Sequence, residues 1–214
     1  TRLGRGNAIR TLFTFSFRTA FGTGRGQRAQ VIPFIVTILA FAPIFVQLSI
    51  AAATGRREII NYAQHLQFSA FFLALFAAAQ APELIVTDRQ YGVLSLYLSR
   101  SLRTGDYLVA KLLAFICAIL LLTLGPELAL FVGKTLLSDA PWKAFTDDWK
   151  QLGPIIGGTV LAACFMGSVG LALAAYTARR AYASAAVIGF FVILPALSGI
   201  ARELLKGDAK RYAV

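Results

Sequence analysis

The chain has 214 residues, 57% of them hydrophobic and only 14% charged, with a mean hydropathy of +0.68. Soluble domains carry about a quarter of their residues as charges, so this composition excludes an ordinary soluble fold and calls for an all-α, polytopic membrane helix bundle. The net charge of +11 sits in short segments beside apolar runs, where anionic lipid headgroups lie, and forms no basic stripe on a soluble fold; it argues for the lipid bilayer and against nucleic acid as a partner.

Residues 7–21 show a helical stripe. Ile9, Leu12, Phe13, Phe17, Ala20 and Phe21 share one face, and Asn7, Arg10, Thr11, Thr14 and Arg18 the other. Arginines opposite phenylalanines, over a length too short to span, predict an amphipathic helix in the membrane interface. Gly22, Gly24 and Gly26, with Arg25 and Arg28, predict a flexible basic turn after it. The first span falls at about 31–53, roughly 35 Å of helix, with Pro33 near its start and a kink at Pro43.

A short loop at 54–65 carries His65, the single histidine, which reads as an interfacial polar residue or as a proton relay or ligand. The second span is expected at about 66–86 and the third at about 107–132. Glu127 follows Pro126 toward the far end of the third, where an acid is either hydrated near the interface or functional. Residues 134–152 form the longest loop on that side, with Trp142 and Trp149 placed for an interfacial aromatic belt on a short surface helix.

The fourth span, about 153–176, has small residues four apart at Gly153 and Gly157 and at Ala163 and Gly167, a spacing that permits close helix approach. A tight basic turn around Arg179 and Arg180 leads to a fifth span at about 183–200, with Pro195 inside it. The tail is polar. Cys117 and Cys164 both lie in apolar runs and read as small apolar side chains.

Five spans put the two ends of the chain on opposite sides. Twelve of the 21 lysines and arginines fall on the side of the N-terminal segment, the connection between spans two and three, and the 177–182 turn. Six of those twelve precede the first span, where they weigh most, which places that side in the cytoplasm. No GxxxxGK(S/T) loop, HExxH motif, G-x-S-x-G elbow or Cys/His cluster occurs. The expectation is a protein with no enzyme site, cofactor or metal of its own, so uphill transport would need an ion gradient or a partner.

Residues 83–111 stand out against this background. Three acids (Glu83, Asp88, Asp106) and four bases (Arg89, Arg100, Arg103, Lys111) are mixed there with Tyr and Leu residues. The run from Asp88 through Tyr91, Gly92, Leu94 and Leu98 predicts a short cytoplasmic helix, followed by a turn and a helix restart at Asp106. Aromatic, aliphatic and Arg side chains together are what protein interfaces favour.

This run resembles the signature of ABC-2-type permeases, the membrane subunits of type V ABC transporters. The residues that carry the resemblance are Asp88, Arg89, Gly92, Leu94, Leu98, Ser99, Arg103, Tyr107, Leu108 and Lys111. Members of the family often have Pro between that Ser and Arg, where this chain has Ser101 and Leu102. The family also has six spans, so the chain is expected to continue beyond Val214 into a sixth.

The resemblance implies a coupling helix within 88–103 that docks on an ABC ATP-binding subunit through Asp88, Arg89, Tyr91, Gly92, Leu94, Leu98, Arg100 and Arg103. ATP and Mg would sit on that partner, a second permease copy or homologue would complete the assembly in a bacterial cell membrane, and the N-terminal helix would be a connecting helix against the same partner. The alternative is a self-contained proton- or ion-coupled transporter or channel built on Glu127, with His65 as a second group. The apolar, phenylalanine-rich walls lean toward amphipathic or lipid-like cargo.

Overall fold

The computed structural model describes residues 4–23, 27–56, 60–92 and 103–200, and every regular element among them is helical. In chain order these are α1 (Arg5–Ala20), α2 (Gln27–Thr54), α3 (Tyr62–Gln90), α4 (Thr104–Leu136), α5 (Pro141–Asp148), α6 (Leu152–Ala175) and α7 (Arg180–Ile188). A short 3-10 turn, Trp149–Gln151, joins α5 to α6. A π-helical turn, Gly189–Ile193, carries α7 onward in one stretch to Ile200. Five stretches are long and apolar enough to cross a membrane: Gln30–Thr54, Tyr62–Gln90, Thr104–Leu136, Pro141–Ala175 and Arg180–Ile200.

α3 is the central helix and touches α1, α2, α4, α6 and α7. Its Ala- and Phe-rich sequence is apolar all round, as a helix enclosed by others must be. Phe76 of α3 stacks on Phe115 of α4 with ring centroids 6.3 Å apart. Around this pair the core gathers Leu73, Ala77 and Leu84 from α3, Ile119 and Leu122 from α4, Ala163 and Met166 from α6, and Val187 from α7. α2 joins a smaller cluster through Ile44 and Ala51, which meet Leu130 of α4. α7 lies at the rim, with only Ala183 and Val187 of its first part buried.

Two helices reach further than their hydropathy predicts. α3 starts at Tyr62, not near 66, because the Asn61 side chain accepts the Gln64 N–H at 3.1 Å and caps it. It runs on to Gln90 and so takes Asp88 and Arg89 into the helix. Asp88–Gln90 are therefore the last turn of α3, and the rest of the expected short helix, 93–102, lies outside the described residues. Gly92, with φ of +65°, stops α3 in the left-handed conformation that a helix end favours. α4 starts at Thr104, before the expected 107, and Asp106 accepts the Arg103 N–H at 3.0 Å there.

α1 is amphipathic as expected, and its inner face packs on α4 and α3. Leu12 meets Tyr107 and Ala110 of α4, and the Phe21 ring lies 6.0 Å from Phe76. Ser16 and Thr19, outside the apolar stripe, are buried with it. Gly22, at φ of +69°, closes the helix: Thr23 N–H donates to the Arg18 carbonyl at 3.0 Å and Gly22 N–H to Thr19 at 2.9 Å. The rest of the predicted turn, Gly24–Gly26, and the tail from 201 lie outside the described residues.

The expected surface helix between spans three and four is α5, with Trp142 and Trp149 exposed. The small-residue spacing in α6 divides into two halves. At Gly167 an added Cβ would lie 2.7 Å from the Ile116 side chain, and Gly170 lies against Phe115 and Ala77. Gly153 and Gly157, in contrast, have nothing within 4 Å of such an atom. Only the second pair serves the packing of this chain.

Candidate functional site

Two polar centres interrupt the apolar bundle, one toward each end of α3. At the first, His65 Nδ1 lies 3.0 Å from Glu127 Oε1, with side chains 1% and 2% exposed. His65 is therefore a buried residue of α3, where its place in the chain predicts the end of a loop. Glu127 likewise is enclosed by the bundle. A buried carboxylate is costly unless it is met by a partner, and here one oxygen is met. A carboxylate only accepts, so the bridging hydrogen belongs to Nδ1 when Glu127 is ionised. Glu127 Oε2 and His65 Nε2 are buried with no hydrogen-bond partner among the described residues, as is the Tyr62 hydroxyl.

Beside this pair, the start of α3, the far part of α4 and the start of α6 enclose a cleft of about 610 Å³. Glu127, Tyr62, Asn61, Lys134 and Gln151 supply its polar lining, and Leu66, Pro154 and Ile155 part of its apolar wall. Lys134 is held by Asp148 at the end of α5, at 3.2 Å, and donates to Gln151 at 3.5 Å. Its Nζ also lies 5.6 Å from the Tyr62 ring centroid. Among the described residues, no group of three or more His, Cys, Asp or Glu is placed to hold a metal ion.

The second centre is at the other end of α3, some 23 residues or roughly 35 Å of helix from His65. Asp88 pairs with Lys111 Nζ at 2.8 Å and accepts the Tyr107 hydroxyl at 2.8 Å, with Lys111 only 1% exposed. Arg5 of α1 donates twice to Asp106 of α4, at 2.8 and 2.7 Å, and these bonds hold its pKa above the ordinary guanidinium value. Arg180 of α7 pairs with Glu83 of α3, and Gln90 donates to the Ala178 carbonyl at 3.1 Å. Four helices are thus fastened together at this end.

The residues expected at a partner surface separate accordingly. Arg89, Tyr91, Gly92 and Arg103 are exposed around this fastened end. Asp88 faces inward, bound to Lys111 and Tyr107. Leu94, Leu98 and Arg100 lie outside the described residues.

No family model, curated protein or solved structure matches this chain.

What composition and motif did not supply is the meeting of His65 with Glu127. A signal for it exists. Asp88 and Tyr107 meet where α3 and α4 run antiparallel; His65 lies 23 residues before the first and Glu127 20 after the second, so nearly equal counts along the two helices bring them to about one level.

Proposed function

We propose that the chain is the permease subunit of an ATP-driven exporter, moved by an ATP-binding partner that docks at the Asp88 end of the bundle. One observation carries this reading. Arg89, Tyr91 and Arg103 are exposed on a helix end whose neighbouring ion pairs fasten α1, α3, α4 and α7 to one another. A push on that end is delivered to four helices at once, and exposed Arg and Tyr are the side chains that anchor interfaces. The resemblance of 88–111 to ABC-2-type permeases supplies the kind of partner, with ATP and Mg held there and a second permease beside this one.

The test is purification from native membranes with whatever soluble ATPase accompanies the chain. ATP hydrolysis by that assembly is expected to fall about tenfold or more on Arg89→Glu or Arg103→Glu, the loss typical of an interface anchor. Hydrolysis that ignores both substitutions, or a chain that carries no ATPase, overturns the reading. A second reading, proton- or ion-coupled transport, is favoured by the enclosed His65–Glu127 pair. Transport that persists without ATP and falls on Glu127→Gln decides for it.

A further inference from the structure

We propose that the cleft between α3, α4 and α6 binds an amphipathic organic cation, with Glu127 as its counter-ion. Its volume of about 610 Å³ is that of a small-molecule site, and its mostly apolar lining with few polar groups is what such sites show. Glu127 lines the cleft; its Oε1 is taken by His65, and its Oε2 is buried with no hydrogen-bond partner among the described residues. A carboxylate 2% exposed with an idle oxygen is held at a cost that a bound cation removes.

The sign of the ligand follows from what surrounds that carboxylate. Lys134 is the cation on the cleft wall, but Asp148 neutralises it. It also lies seven residues along α4 from Glu127, about 10 Å of helical rise. The imidazole of His65 is the group that Glu127 meets, and no lysine or arginine among the described residues is paired with it. An inorganic ion would need more oxygen ligands than one carboxylate and a few amides offer. A weakly hydrated ammonium or phosphonium with apolar substituents matches both the charge and the walls.

That the cleft is a transport site rests on the proposed function, whereas binding can be measured without ATP or a partner. The probe is tetraphenylphosphonium, titrated by equilibrium dialysis against the purified full chain in nanodiscs, with the anion tetraphenylborate as its counterpart. Saturable binding of the cation is expected, weakened about tenfold or more by Glu127→Gln and unchanged by Asp147→Asn, which removes an exposed charge elsewhere. Gly158→Leu narrows the cleft at a position where a Cβ meets nothing within 4 Å, and it decides the matter if Glu127→Gln does not fold.

Equal binding by the parent and both cleft variants, or equal binding of the anion, overturns the proposal. A bound cation in a chain that recruits no ATPase leaves this site standing and removes the exporter reading. ATPase coupling without cation binding does the reverse.

Discussion

Lys111 and Asp88 show what a charge costs in such a bundle. Lys111 is 1% exposed and Asp88 13%, so neither relies on bulk water, and the Tyr107 hydroxyl completes the carboxylate's partners. Lys111→Met leaves Asp88 without its cation and is expected to lower stability by about 3–5 kcal/mol. Adding Asp88→Asn should recover most of that loss, because an amide still accepts from Tyr107. Thermal unfolding in detergent, followed by tryptophan fluorescence, checks both. A double variant no better than the single one would show that the pair is not what holds this end.

Glu127 was legible as a functional candidate because an acid at that depth is expensive. Its contact with His65 was not, since a histidine at the start of a span is ordinarily hydrated and only the packing of α3 on α4 encloses it.

Among the elements, α6 offers the sharpest contrast. At Gly167 a Cβ would lie 2.7 Å from the Ile116 side chain and 3.4 Å from its Cα, so part of the obstacle is backbone that cannot rotate away. Gly167→Val should therefore push α6 from α4 and cost about 1–3 kcal/mol. Gly157→Ala, in open space, should be neutral or stabilise by up to about 1 kcal/mol through helix propensity. Unfolding midpoints in the same detergent separate the two, and equal losses would contradict the assigned face.

The four-residue spacing of small side chains is plain in the sequence, but which pair faces inward depends on how α6 is rotated. The ends of α3 were misplaced for a related reason. Hydropathy ends a span before a run of polar residues, whereas Asp88 remains helical and is met there by Lys111.

For the molecule as a whole, the five crossing stretches set which residues share a face of the membrane. Gln90 and Ala178 are hydrogen-bonded at one end, and α3 and α4 run antiparallel away from it. In a cysteine-free background, Tyr91→Cys and Ala178→Cys should react together with a membrane-impermeant maleimide from one side. Arg56→Cys and Trp142→Cys should react from the other. Labelling of all four from one side would remove the crossing arrangement.

The number and order of these stretches follow from composition alone, because a bilayer demands about 20 apolar residues of each. Which polar groups meet inside is a tertiary fact.

Pro126 gives the Glu127 centre a mechanical property. Proline has no N–H, so α4 lacks the rung that would reach back to the Leu122 carbonyl, one residue before the carboxylate that binds His65. α4 is for that reason most easily bent in the turn 122–126, just before Glu127. The part beyond it carries Lys134 and a wall of the cleft, and the part before it is anchored through Lys111 to Asp88. A hinge at this turn lets the cleft widen or narrow while the fastened end stays intact, with the acid at the start of the part that swings.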